Sequence, residues 1–505
     1  MTDFVQSSDR IRARAFIGQC GWLVLYGFQL LLMALYNVSD DQYIDGLSVF
    51  LVAFTVWAFV SWHITMGHWV DLYSFFFTAL FLFSGGQAVL NILGLMPQGI
   101  LNGHFSSPQI KQALTLVISC LLAFHTGALL RARLHAPTGL PAPAALDTAD
   151  AARQVGLVLI LVSLGPALYD LYHDVAIIQS IGYGGQFFLA KTDTGMDVWT
   201  HILTMFLVPG ALLFLAGSKG RPVNITVAWV VIAVPAVIYF LLGIRNVGIR
   251  GLVALLWLHS VTIRPIRKSV LVGSTLIVLV LIPALAVVRG KPLTVGDTIT
   301  ALQQAYSAMD NPIVLALAEM GGTLLTVIYT TDIVPTIKPY EWGMSYAMAL
   351  TTVFPNLFWD LHPAIQAGLP SYWLMKEIDP VAANAGFGFG YSMIAEAYLN
   401  FSWIGAPIAM AGLGYLLAGF VCWVFERPDV LRLAMQAILM SFVLFVARAE
   451  SHLVIRPMFW ECLVPYLFIL YLVHRRIRVS GIPTSLTAAS GRSDGRTTVS
   501  LGAEQ

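Results

Sequence analysis

Charge is what this 505-residue chain has least of, since Asp, Glu, Lys and Arg together make up 11% of it. The formal net charge is only +1, which excludes a strongly basic nucleic-acid binder. Cysteine is nearly absent too. The four present, Cys20, Cys120, Cys422 and Cys462, lie inside apolar runs without C-x-x-C spacing, so they read as packing residues and not as zinc ligands. No G-x-x-x-x-G-K-[ST] run occurs, and no G-x-G-x-x-G follows a strand, so a free nucleotide has no cradle. The N-terminal run is not expected to be a cleavable leader. Arg10, Arg12 and Arg14 precede an apolar run from Phe16 to Leu35, too long for a signal-peptide core and without an A-x-A-like site. That run reads as a first transmembrane helix.

What fills the chain is hydrocarbon. Apolar residues make up 58% and mean hydropathy is +0.77, far beyond what a soluble core needs. The expectation is an all-α polytopic membrane protein. Runs of about 20 apolar residues predict twelve helices, near 16–36, 47–64, 70–94, 110–130, 154–172, 199–217, 223–242, 249–263, 269–288, 391–424, 433–449 and 457–473. With that count, the basic groups at Arg10/Arg12/Arg14, Arg131/Arg133, Lys219/Arg221, Arg264/Arg267/Lys268, Arg427/Arg432 and Arg475/Arg476/Arg478 fall on one side. The positive-inside rule makes that side cytoplasmic, with both termini there. Residues 1–289 therefore read as helices one to nine, 290–390 as a large outer loop with amphipathic helices, and 391–478 as helices ten to twelve. The Gly/Ser/Thr-rich stretch 479–505 reads as a disordered cytoplasmic tail, and 136–150 as a flexible linker.

Within this apolar frame the remaining charges are informative. Glu396 stands in the membrane-grade run that follows Gly386, Gly388 and Gly390. A carboxylate there costs roughly 2.5–3.5 kcal/mol on insertion scales, so it is expected to face a cavity or a partner. Ser392 and Asn400 lie four residues to either side, on the same helical stripe. Basic residues also occur where the cytoplasmic bias does not explain them. Arg245 and Arg250 lie in GIRNVGIRG, Arg289 and Lys291 at the end of helix nine, and Arg448 and Arg456 in the outer turn VARAESHLVIRP. Snorkelling anchors or salt bridges are the plain alternative. Arginines at three helix ends of one depth instead favour an anion site, and the arginine fork suits a phosphate carried by a lipid. Gly243, Gly248 and Gly251 would let the backbone approach it. Displacement of a lipid pyrophosphate at a sugar carbon needs positive charge at the leaving group and a base for the attacking hydroxyl. Glu396, Glu450, His452 and Glu319 are the candidate bases, with Glu396 alternatively holding an arginine in place. No D-x-D pair lies on the outer side, so nothing calls for a metal or another cofactor.

The run GFGYSMIAEAYLNFSWIG resembles the G-x-G-x-S-x-I-A-E-x-Y-x-N-F-G-x-x-G signature of Wzy-type O-antigen and exopolysaccharide polymerases. The upstream AEMGGTLLTVIYTTDIVP and YEWGMSYAMALTTVFPN resemble that family's outer loop, and GIRNVGIRG its glycine–arginine cluster. The likeness covers much of 240–460, and it departs from the pattern at Ser402, where the signature has glycine. It implies a GT-C-like, metal-independent glycosyltransferase at the periplasmic face of a bacterial inner membrane. Its donor would be a glycan on undecaprenyl pyrophosphate, and a chain-length regulator would be a partner beside membrane lipids; no nucleic acid is involved. Ser392, Tyr398, Asn400, Gly388 and Gly390, which stand in this run with Glu396, complete the expected substrate-binding set. A lipid-linked oligosaccharide flippase and an O-antigen ligase are the rival readings. The flippase is disfavoured because no broken-helix pattern repeats in the two halves.

Overall fold

A computed structural model describes residues 2–95, 99–101, 103–135, 148–181, 196–267, 311–356, 362–384 and 387–479, with 269, 273 and 359. Every regular element among them is helical. Five long helices come first: α1 Thr2–Leu35, α2 Asp40–Met66, α3 Leu72–Ile92, α4 Ser107–Leu134 and α5 Ala149–Ile181. A broken span α6 Met196–Thr204 and α7 Leu207–Ala216 follows, then α8 Pro222–Leu241 and α9 Arg245–Thr262. After the gap come α10 Pro312–Gly321 and α11 Leu324–Ile333, and the short helices α12 Met344–Thr351, α13 Pro363–Gln366, α14 Pro370–Ile378 and α15 Pro380–Asn384. The last are α16 Met393–Glu426, α17 Val430–Val446, α18 His452–Pro457 and, beyond a π-helical turn at Met458–Leu463, α19 Val464–Val479.

Ten stretches among the described residues are long and apolar enough to cross a membrane. Nine coincide with expected runs. The 433–449 run forms the shorter α17, and 249–263 forms α9, which falls short of a span in hydropathy. The ninth expected helix, 269–288, lies outside the described residues save for two positions. The tenth span is a difference from expectation. Pro312–Ile333, placed by sequence in the outer loop, is as apolar as the others. Glu319 and Asp332 interrupt its pattern in sequence, but α10 and α11 follow one another across Gly322 and together reach the length of a span. Gly86 and Gly321 let α10 lie against α3; a Cβ on Gly321 would come 2.8 Å from the Gln87 amide nitrogen.

The basic loops do gather. Arg12 donates to the His135 carbonyl, Lys219 pairs with Asp150 at 3.1 Å, and Arg476 donates to Gln154. At the opposite, acidic end Asn91 donates to Asp45, and Lys111 pairs with Asp40.

The closest crossing joins α4 and α16. A Cβ on Gly127 would fall 1.9 Å from the Ala411 carbonyl oxygen, and one on Gly414 would fall 2.0 Å from that of Phe124. Two glycines thus let two backbones touch. In lipid this van der Waals contact replaces the hydrophobic drive that water would supply.

Further toward the acidic end α16 breaks at Ser402, whose φ of 63° and ψ of −167° belong to a region that only glycine enters easily. The signature glycine missing at this position is therefore a conformational requirement, and serine meets it at a cost of order 1–3 kcal/mol. The amides of Glu341 and Trp342 donate to the carbonyls of Leu399 and Asn400 just before the break, at 3.0 and 3.1 Å. The outer segment is thereby tied to the broken helix.

Candidate functional site

Glu396 stands one and a half turns before that break, 1% exposed. Its partners are not arginines. Oε1 accepts from Ser345 Oγ at 2.8 Å and Ser451 Oγ at 2.6 Å, and Oε2 accepts from the Ser451 amide at 2.7 Å. The expectation that Glu396 holds an arginine gives way to a carboxylate gathering two serines from separate elements. Serine hydroxyls serve here because they are neutral and short enough to sit inside the bundle. Three of about four acceptor positions on the carboxylate are filled, leaving room for one more donor.

Asn400, on the same buried stripe, completes the ring. Its Nδ2 donates to Ser345 Oγ at 2.7 Å and to the Glu396 carbonyl at 2.8 Å, and its Oδ1 accepts from the Gly343 amide at 2.8 Å. Ser392 has a different task. It is the N-cap of α16, accepting from the Ile394 amide at 3.2 Å. Tyr398 donates to the Val334 carbonyl at 3.1 Å, anchoring the end of α11.

Glu450 repeats the arrangement at the next corner. It is 2% exposed, and Ser371, in the first turn of α14, donates to it through both its amide (2.8 Å) and its hydroxyl (2.6 Å). Burial pushes this carboxyl up from its ordinary 4.5 to about 7, against the opposing pull of the Ser371 hydrogen bonds. His452 Nδ1 lies 3.3 Å from Glu450 Oε1, close but without a formed hydrogen bond.

These groups surround a cleft with about 360 Å³ of empty space, part of it open to solvent. One wall is Glu341, Met344, Ser345, Met348 and Ala349; the other runs from Ala364 to Pro370. Glu396, Ser451 and His452 close it from the helix side. Three of the proposed bases thus come together, Glu396 and His452 in the wall and Glu450 behind His452. Glu319 does not join them, because it lies on α10, which packs on α3.

The arginines divide. Arg448 Nη2 donates to the Phe389 carbonyl at 3.2 Å, and its Nε lies where a Cβ on Gly390 would come within 3.3 Å. Gly390 has φ +73°, so here glycine is needed both for the turn and for the approach of the guanidinium. Gly388 meets no such demand, and Gly386 lies outside the described residues. Arg456 follows His452 by one helical turn on α18. Arg250 acts electrostatically on Glu461, a 1% exposed carboxylate of the π-helical turn with no hydrogen-bond partner among the described residues. The side chain of Arg245, and Arg289 and Lys291 entirely, lie outside the described residues. Of the glycines in GIRNVGIRG, Gly243 takes φ +80° between α8 and α9, while Gly248 lies against the Ala236 carbonyl and Gly251 against Ile232 of α8.

Residues 20–477, which include both the cleft and the glycine-packed crossing beneath it, match the family model of the O-antigen polysaccharide polymerase Wzy. The chain belongs to that family. No curated protein and no solved structure matches it. Membership in the Wzy family supports an O-antigen polymerase role for this multi-pass membrane protein. It also gives the serines a context that sequence reading missed. Ser345 stands in YEWGMSYAMA and Ser451 between Glu450 and His452, and the only signal for either was its place in those motifs.

Proposed function

We propose that the chain polymerises undecaprenyl-pyrophosphate-linked oligosaccharide repeat units at the periplasmic face of the bacterial inner membrane. On this reading the basic end of the bundle, with both termini, is cytoplasmic. The observation that carries the proposal is the cleft at the acidic end, where Glu396, Ser451 and His452 meet at the corner that also bears Arg448 and Arg456.

The reaction is glycosyl transfer. A hydroxyl of the new repeat unit attacks the anomeric carbon of the growing glycan, and the bond from that carbon to the pyrophosphate oxygen breaks. The lipid pyrophosphate leaves with the bonding electrons, and the hydroxyl proton passes to a base. His452 takes this proton on our reading, with Glu450 behind it to orient the ring and stabilise the imidazolium. Catalytic hydrogen bonds are often long before substrate binds, so a Glu450–His452 separation of 3.3 Å suits the role. Glu396 fixes Ser345 and Ser451 and offers its remaining acceptor position to the incoming hydroxyl. Arg448 and Arg456 supply the positive charge for the departing pyrophosphate, so the reading needs no divalent metal. A chain-length regulator would act as a partner outside this site.

The decisive experiment is the glycan profile of a strain lacking the protein. Surface glycans should stop at one repeat unit, with translocation intact. Repeat units stranded on the cytoplasmic leaflet would identify a flippase and overturn the proposal. Arg448→Lys, which keeps the charge but loses the planar fork, should lower polymerisation without lowering the amount of protein.

A further inference from the structure

Trp342 follows the cleft-lining Glu341 in the chain and is in an uncommon state. Its indole is 76% exposed, and its backbone has φ +50°, a left-handed conformation rare for a bulky residue. The segment around it is nevertheless firmly held. The Glu341 and Trp342 amides donate to the carbonyls of Leu399 and Asn400, and the next amide, at Gly343, donates to the Asn400 side chain. Tyr340 meets the indole edge-on at 6.0 Å, and its hydroxyl donates to that of Tyr398 at 3.4 Å. Glu341 and Met344, on either side of Trp342 and Gly343, both line the cleft.

Backbone strain of this kind persists only where the surroundings over-determine it, and it clusters at ligand clamps. Here it holds out an aromatic ring that burial does not require. We propose that Trp342 is a stacking platform for a pyranose ring of the lipid-linked repeat unit, a deepening that rests on the polymerase reading above. The C–H bonds on one face of a pyranose carry partial positive charge and fit the negative face of an indole. Such a contact needs no hydrogen bond, so it can hold successive sugars of a glycan that advances through the site. Because the α16 carbonyls fix the backbone of Trp342 and Tyr340 meets its ring edge-on, little freedom is lost on binding. Exposed tryptophans also anchor proteins at membrane interfaces. An anchor needs neither a left-handed backbone nor a position between two residues that line a cleft.

The test uses the full chain in lipid nanodiscs and the repeat-unit oligosaccharide released from its lipid carrier, titrated by calorimetry. Trp342→Ala and Trp342→Leu should weaken binding roughly five-fold or more, while Trp342→Phe, which keeps a π face, should stay near wild type. With the lipid-linked repeat unit as substrate, Trp342→Ala should raise KM and leave kcat unchanged. Equal sugar affinity in the Ala variant and the wild type would overturn the platform while leaving the polymerase reading intact. A wild-type protein that neither binds the oligosaccharide nor extends the lipid-linked unit would overturn both.

Discussion

The two halves of α16 are continuous in sequence and opposite in construction. Residues 403–426 carry Gly412, Gly414 and Gly419, and this half meets α4 backbone to backbone. Residues 393–401 carry Glu396 and Asn400, buried and held by hydrogen bonds from an outer segment far away in sequence. One half is held by small residues, the other by donors and acceptors. Between them Ser402 breaks the helix, and the carbonyls just before it accept the amides of the segment that carries Glu341, Trp342 and Ser345. The difference shows how a membrane bundle hosts polar chemistry. A rigid apolar crossing fixes the position of the helix, and the polar half projects from it into a wall built by other elements.

The largest effect is expected in the apolar half. Gly414→Val drives a branched side chain into the Phe124 carbonyl, and with no room to relax the cost should exceed about 4 kcal/mol. Loss of folded protein, measured by detergent-resistant monomer and thermal melting, is the outcome. A well-folded Gly414→Val variant would mean that the crossing is not what positions the site.

In the polar half, Glu396→Gln should instead spare folding more than function. The amide keeps one acceptor oxygen but places an NH₂ either against the two hydroxyls or against the Ser451 N–H, and polymerisation should fall on the order of 100-fold. The exposed Glu377, changed in the same way, should have no measurable effect. Equal losses at both positions would return Glu396 to a packing role.

Glu450 sets the pH response of this half. Its carboxyl is raised from 4.5 to about 7 by burial, so between those values the folded protein holds a proton that the unfolded chain has released. Its stabilising contribution is complete below the ordinary value and lost as pH rises through about 7. Activity moves the other way, because the ionised form is the one that supports His452. The rate in proteoliposomes, followed from about pH 5 to about pH 9, should rise with a midpoint near 7. Glu450→Gln should remove that rise.

The smallest effect is at the junction. Ser402→Gly relieves a left-handed backbone and should raise thermal stability by about 1 kcal/mol with activity retained. Destabilisation would show that the break is not strained.

Much of the bundle was legible in the chain. Nine of the expected spans recur, and the basic loops collect at one end, because length, hydropathy and charge asymmetry are local properties. The 312–333 span was harder to read, since Glu319 and Asp332 imitate an amphipathic surface helix. In the candidate site, Glu396, Glu450 and His452 were recognisable because ionisable groups in apolar surroundings demand explanation. Ser345, Ser371 and Ser451 carry no such signal. A serine is common everywhere, and only its distance to a carboxylate distinguishes one.

By itself, then, the sequence determined an all-α membrane protein of the Wzy family and which of its groups are costly there, since hydrocarbon prices every residue along the chain. Only the tertiary structure decided who satisfies those groups. Hydrogen bonds from Ser345 and Ser451 to Glu396, and from Ser371 to Glu450, join residues 51 to 79 positions apart. Hydrogen bonding acts across about 3 Å whatever the separation along the chain, and no periodicity announces its partners.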